Sequence, residues 1–250
     1  KGIEKLIDAG VDVEYGVMEA DGRWLNRRFF TYHEQHRPYI FLKWAETRDG
    51  FIDKLRMGEI ERPLRVSNDL SSIAMHEFRS GETAILVGPN TAVMDNPSLT
   101  VRHANGKQPV RILLDRDLRV PADLNLYDGT VPTIVITKEP CDEQRENVKY
   151  VVCDFRPDGR VDFSSLLRVL YEQKIESLIV EGGRLLLQSF IDEGVWDEIR
   201  LEINHALVIG NGVAAPDFSK WKTQVQRYSF QSFGDNDVSF FRRKKYLNAI

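Results

Sequence analysis

The chain has 250 residues, is 42% hydrophobic, and carries 34 basic against 38 acidic side chains for a net charge of −4. That is enough apolar material for a substantial core, which excludes a disordered chain, and the acidic balance argues against a general nucleic-acid binder. No apolar run approaches the ~20 residues that cross a bilayer. Lys1–Gly10 lacks the apolar region of a signal peptide. Cys141 and Cys153 form no C-x-x-C pair, which points to a reducing cytoplasm and away from a structural zinc site.

In chain order, residues 1–30 read as a short helix (Gly2–Ala9), a strand (Val11–Tyr15) and a polar helix ending near Phe30. This unit is too small to close a core alone. The polar segment His33–Pro38 reads as a linker. Tyr39–Ala45 is an apolar strand interrupted by Lys43. Asn68 or Asp69 is placed to cap a helix running to about Arg79. Thr83–Val87, Val110–Leu114 and Val131–Thr137 are strands, and Val87–Arg102 is a loop rich in turn residues. Asp162–Gln173 has apolar residues at helical spacing. Glu176–Val180 is a buried strand that runs through Glu181-Gly182-Gly183 into a helix over Leu185–Phe190. Ile199–Ile203 alternates, and Gln224–Phe230 and Val238–Arg243 read as an antiparallel pair. Strands alternating with single helices predict an α/β fold, with a mostly parallel sheet covered on both faces and a C-terminal antiparallel hairpin.

Several segments carry candidate chemistry. A strand entering a glycine pair at a helix start lets backbone N–H groups approach a phosphate, and Glu181 sits at its lip. The same residues also suit an ordinary tight turn. A lysine in an apolar strand is costly to bury unpaired, so Lys43 faces either a cleft or, on an edge strand, solvent. In the Val87–Arg102 loop, Arg102 suits a bidentate phosphate contact and Asp95 suits sugar hydroxyls. An ordinary surface loop remains open too. Arg79 near a helix end is a second phosphate candidate or simply favours the helix dipole. P-loop, G-x-S-x-G, zinc-deaminase and G-x-G-x-x-G patterns are absent.

In order along the chain, RPYIFLKWAETRDG, TAILVGPNTAVMDNPSLTVR, SLIVEGGRLLLQSFIDEGVWDEI and ALVIGNG resemble the reductase domain of the bifunctional riboflavin-biosynthesis deaminase/reductase family. The resemblance spans about residues 37–243, and residues 2–30 look like the last helix, strand and helix of that family's deaminase domain. It implies a remnant and linker over 1–36 and a reductase domain over 37–250, with a dihydrofolate-reductase-like fold. It also implies NADPH-dependent reduction of 5-amino-6-(5-phosphoribosylamino)uracil to its ribitylamino product, with hydride delivered to C1′. Zinc would belong only to a deaminase domain, if the native protein has one.

By resemblance, Lys43 and Glu181 lie in the reacting region, and Glu181 either holds the substrate or assists proton transfer. Pro63, Arg79, Leu99, Arg102 and Glu181 lie at substrate positions. Ala45, Arg65, Thr91, Asp95, Gly182, Gly183, Arg184, Leu185, Leu186, Leu187 and Gln188 belong to the cofactor. The family's usual Trp-Ile-Ser and Ser-Leu-Asp-Gly are replaced by Arg65-Val66-Ser67 and Thr47-Arg48-Asp49-Gly50, and Arg184 stands where a small residue is usual. Arg65 or Arg184 is expected to read a cofactor 2′-phosphate. A cytoplasmic homodimer acting on a phosphorylated ribosylamino-pyrimidine is implied, with neither nucleic acid nor membrane as partner. Two other readings are a related reductase acting on a pterin or another carbonyl, and a non-catalytic ligand-binding module.

Overall fold

The computed structural model describes residues 2–56 and 61–244; the outer limits of the two expected units, residues 1 and 250, lie outside the described residues. The helices are α1 (Gly2–Asp8), α2 (Glu19–Leu25), α3 (Arg27–Gln35), α4 (Asp69–Ser80), α5 (Pro89–Asp95), α6 (Phe163–Glu172) and α7 (Arg184–Glu193). The strands are β1 (Tyr39–Thr47), β2 (Phe51–Asp53), β3 (Ala84–Val87), β4 (Val110–Leu114), β5 (Thr133–Thr137), β6 (Val148–Val152), β7 (Ser177–Glu181), β8 (Glu198–Asn204), β9 (Val213–Ala214), β10 (Val225–Phe233) and β11 (Asn236–Arg243).

Nine strands form one sheet in the order β10-β11-β8-β1-β7-β3-β4-β5-β6. All neighbours from β8 to β6 pair in parallel, and β11 pairs antiparallel with both β8 and β10. This is the expected mostly parallel sheet with a C-terminal antiparallel pair. β3, β5 and β7 are buried along their whole length, as parallel strands covered on both faces must be. One face carries the main core: Ile40, Leu42, Leu86, Leu178, Val180 and Ile199 pack against Leu166 and Leu170 of α6 and Leu187, Phe190 and Ile191 of α7. Each such fully buried side chain contributes about 1.5–3 kcal/mol. The opposite face is different along β1 and β8. There Phe41 registers with Glu198, Lys43 with Arg200, and Ala45 with Glu202. Lys43 therefore lies on a central strand flanked by β7 and β8, not on a solvent-facing edge.

Local differences from the sequence reading have physical causes. Val11–Tyr15 is not a strand; it has no neighbour to pair with and is mostly exposed. The polar helix breaks at Asn26, and α3 continues to Gln35 through the first half of the expected linker. The Val87–Arg102 loop contains α5, started by Pro89 at its first turn and stopped by Asn96 at φ +41. β6, a half-exposed edge strand of sequence VKYVV, is an added strand that the sequence reading leaves out although its residues are β-prone.

α3 is held to the sheet by arginine–carboxylate pairs. Arg27 Nε and Tyr39 Oη each donate to Glu198 Oε1 at 2.7 Å, and Arg28 binds Glu82. The Asp197-Glu198 pair of the sequence motif is thus an anchor. Asp197 accepts from Arg37 Nη1 at 2.6 Å, from Arg37 Nη2 at 2.8 Å and from the Ile40 N–H at 2.9 Å. Asp197→Ala removes the acceptor of these three bonds at a buried position, although Arg37 Nη1 still donates to Pro38 O and Nη2 to Gln35 Oε1, each at 2.9 Å. It should cost about 3 kcal/mol, the low end for breaking a buried ion pair. Urea denaturation tests this, and a loss below about 1 kcal/mol would show Arg37 to be solvated without it.

Candidate active site

The site lies at the carboxyl ends of β1 and β7, with α4 packed above them. In-register pairing sets Lys43 beside Glu181 on one side and beside Arg200 on the other. Side chains in register on parallel strands share a face, so these charges form one row. Arg79, in the last turn of α4, enters from above. Glu181 receives Lys43 Nζ at 3.4 Å and Arg79 Nη2 at 3.3 Å and 3.4 Å on its two oxygens. Burial alone would raise the Glu181 carboxyl, but Lys43 and Arg79 outweigh it and hold it down at about 2. The two cations thus favour Glu181 as an ionised carboxylate that accepts hydrogen bonds.

Arg200 and Glu202, which sequence reasoning missed, continue the row. Both are fully buried, with Arg200 Nη1 3.6 Å from Glu202 Oε2. Burial lowers the Arg200 guanidinium, opposed by Glu202 and Glu181. Ser71 Oγ at 2.6 Å and Asn236 Nδ2 at 2.8 Å donate to Glu202 Oε1. The alternation of Glu198, Arg200 and Glu202 with apolar residues was visible in β8. Its burial was not, because it depends on α4 covering that face.

The glycine turn stands next to this row. Gly182 and Gly183 take φ of +77° and +74°, and Gly183 is the N-cap of α7. A Cβ on Gly182 would lie 2.7 Å from Thr91 Cγ2 and 2.9 Å from Thr91 Oγ1, and one on Gly183 would lie 3.3 Å from Thr91 Oγ1. The start of α5 thus presses against the start of α7. The first N–H groups of a helix have no intrahelical acceptor, and the positive end of its dipole favours an anion.

The loop after α5 is tied down in detail. Asp95 is ion-paired with Arg56, which also meets Asp53 at 2.8 Å and donates to Met94 O at 2.8 Å. Burial raises the Asp95 carboxyl, with Arg56 opposing. Leu99 has φ +52°, and its side chain is buried in the second core cluster beside Met75 and Ala92, so it offers a ligand only backbone. Thr100 O accepts from Arg79 Nη1 at 2.8 Å. The Arg102 N–H donates to His76 Nδ1 at 3.1 Å, and its exposed side chain has no hydrogen bond or ion pair among the described residues.

The remaining expected residues divide. Ala45 lies one alternation beyond Lys43 on β1, opposite Glu202. Pro63 is exposed, and Arg65 pairs with Asp69 on the surface. Arg65 also lines a cleft of about 250 Å³ with Val66, Ser67, Asn68, Asp69 and Asn204. Arg184 and Leu185 are exposed at the start of α7, and Leu186 lies against Gly88. The structure moves Leu187 from the cradle to the core: its side chain is fully buried and its N–H bonds Gly183 O. Gln188 is likewise engaged, donating to Asp192 Oδ1 at 2.9 Å and accepting from the Asp217 N–H at 2.8 Å. A second cleft of about 270 Å³ runs along α5, lined by Pro89, Asn90, Val93, Met94 and Arg119.

Comparison with known proteins agrees on one family. The model described as RibD C-terminal domain matches residues 38–237. The riboflavin biosynthesis protein RibD of Aquifex aeolicus is 38% identical over 249 residues, covering 97% of this chain and 68% of that protein. A 2,5-diamino-6-ribosylamino-4(3H)-pyrimidinone 5′-phosphate reductase from the same organism is 36% identical over 178 residues, covering 70% of this chain and 79% of that protein. Among solved structures, a diaminohydroxyphosphoribosylaminopyrimidine deaminase/5-amino-6-(5-phosphoribosylamino)uracil reductase from Thermotoga maritima superposes with a TM-score of 0.82 at 28% identity. That match covers 97% of this chain and 67% of the solved one. This chain therefore spans about two thirds of the length of the bifunctional relatives it matches.

Proposed function

The chain belongs to the RibD C-terminal domain family, and we propose from that premise that it reduces a phosphoribosylamino-pyrimidine, 5-amino-6-(5-phosphoribosylamino)uracil, to the ribitylamino product with NADPH. The observation that carries the reading is the Glu181 carboxylate held between Lys43 and Arg79 at the lip of the Gly182-Gly183 turn. It sets a fixed anion and an ammonium beside a phosphate cradle.

The residues fit the cofactor: two glycines at positive φ let the start of α7 close against Thr91 of α5, with no side chain between them. Thr91, Gly182, Gly183 and the first N–H groups of α7 would hold the phosphates. Of the two arginines expected to read a 2′-phosphate, Arg184 keeps the better place, because Arg65 is paired with Asp69. Arg119, whose Nη2 donates to Asn90 Oδ1 at 3.3 Å, joins Arg184 as a cation near the convergence of helices. When bound, the nicotinamide supplies a hydride.

This chain's own groups then meet the needs of the ring-opened sugar. Lys43 polarises the oxygen or nitrogen at C1′ and donates the proton that accompanies reduction. Glu181 aims the Lys43 ammonium and accepts from substrate hydroxyls. Arg79 and Arg102 grip the 5′-phosphate. Ala45 and Pro63 complete the walls, Leu99 contributes backbone, and Asp95 acts through its pairing with Arg56.

Residues 1–36 we read as the end of a deaminase unit, with the reductase unit following. Support comes from the Thermotoga maritima match, which extends over 97% of this chain against the narrower span of the family model. A cytoplasmic homodimer belongs to the same reading.

The test is loss of NADPH absorbance with the phosphoribosylamino-uracil. No turnover by a folded protein would sink the assignment. Arg102→Ala should raise KM for this substrate roughly 10–100-fold, the value of a charge-assisted hydrogen bond, with little change in kcat. An unchanged KM would remove Arg102 from the phosphate grip.

A further inference from the structure

Three consecutive residues, Thr100, Val101 and Arg102, are each pinned by a side chain from elsewhere. Arg79 Nη1 donates to Thr100 O at 2.8 Å. Gln108 clamps Val101 from both sides, accepting its N–H at 2.7 Å and donating to its carbonyl at 2.9 Å. His76 Nδ1 accepts the Arg102 N–H at 3.1 Å. His76 and Arg79 stand three residues apart on α4, on one helix face. The result is a rigid backbone that presents an uncommitted guanidinium.

We propose that His76 is the positioning residue of the substrate-phosphate anchor: by accepting the Arg102 N–H and packing its ring on His103, it fixes the segment from which Arg102 reaches the substrate. This rests on the reading above that Arg102 grips a phosphate. His76 is buried on α4 and meets the His103 ring edge-on at 4.7 Å. Accepting at Nδ1 requires the neutral imidazole with its proton on Nε2. The surroundings enforce that form. Burial pushes the imidazole down to about 4, Arg79, Arg102 and His103 add to the effect, and Glu181 opposes it. His76 is therefore an acceptor throughout the neutral range, and its selection over a lysine or arginine follows from the N–H it must receive.

The test is a steady-state comparison of the whole chain with His76→Phe, which keeps a ring and removes the acceptor, and His76→Asn, which keeps an acceptor. His76→Phe should raise KM for the phosphorylated substrate roughly 5–10-fold, the cost of one lost hydrogen bond. Its kcat and its KM for NADPH should stay within about threefold, and His76→Asn should restore most of the loss. In an Arg102→Ala background the His76 substitution should add almost nothing, because it acts through Arg102. If His76→Phe fails to fold, His76→Met fills the same space without the acceptor and carries the comparison. An unchanged KM in a folded variant, or full additivity with Arg102→Ala, overturns the proposal. Absence of turnover in the unsubstituted protein would instead overturn the functional reading on which it rests.

Discussion

Glu181→Gln is expected to lower turnover of the phosphoribosylamino-pyrimidine by on the order of 10²–10⁴, the usual range for a group that sets up proton transfer. The substitution is nearly isosteric, so its effect is one of charge. In the protein the Glu181 carboxylate lies 3.3–3.4 Å from Arg79 Nη2 and 3.4 Å from Lys43 Nζ, and those cations hold it ionised. A neutral amide leaves Lys43 and Arg79 facing each other without an intervening anion. Its Oε1 still accepts from one cation, but its NH₂ group opposes the other. Lys43 then turns away from the reacting carbon, and the proton it supplies is lost to the reaction. Cofactor affinity should change only a few-fold, because Thr91 and the glycine turn do not use the carboxylate.

Acid stability should change as well. Glu181 has its folded carboxyl near 2 against 4.5 as the ordinary value. The unfolded chain binds the proton more readily, so the stabilisation is present above about pH 4.5 and is lost as pH falls toward 2. Glu181→Gln should flatten that limb of the melting profile. Single-turnover kinetics at saturating substrate and NADPH decide the matter. A rate equal to that of the unsubstituted protein, with melting intact, would take Glu181 out of the mechanism.

The two halves of this site were unequally legible in the sequence. Gly182-Gly183 between an apolar strand and a helix announces a tight turn that suits either a phosphate or simple chain reversal, because only glycine sits comfortably at those dihedrals. Lys43 announced itself as a charge inside an apolar run. That the two meet was not readable: it depends on β7, the seventh strand in sequence, inserting beside β1 in the sheet. α5 was written into Gly88-Pro89 and Asn96 as start and stop signals, but its seven residues are too few for an amphipathic period to show. Arg200 and Glu202 looked like the solvent side of an alternating strand. The packing of α4 over that face, with β11 pairing beside β8 in the sheet, makes them interior. His76 and Gln108 work by receiving backbone N–H groups, and such a role leaves no mark in residue type or spacing. Val11–Tyr15 failed in the other direction: β-prone residues make no strand without a neighbouring ladder.

Gly182→Ala should weaken cofactor binding at least roughly tenfold, and two separate costs predict it. The first is conformational. At φ +77° an alanine is strained by about 1–2 kcal/mol relative to glycine. The second is steric, because the new Cβ would sit 2.7 Å from Thr91 Cγ2 and 2.9 Å from Thr91 Oγ1, and overpacking of this kind costs about 1–3 kcal/mol. The turn can relieve the collision only by moving away from α5, and that motion swings the first N–H groups of α7 off the position where they converge with the start of α5. Part of the cost should therefore appear as a lower melting temperature and part as a weaker cofactor complex.

Thr91→Ala separates the two, since it removes the two nearest atoms, leaving the residue-91 Cβ at 3.3 Å and the dihedral strain. In the Thr91→Ala background, Gly182→Ala should lose most of the steric part and keep the conformational part, giving a favourable coupling between the substitutions. Calorimetric titration with NADPH on the four proteins measures it. Equal affinity with and without the alanine, in both backgrounds, would mean that the glycine turn holds no phosphate, and the cofactor would have to be placed elsewhere along the sheet edge.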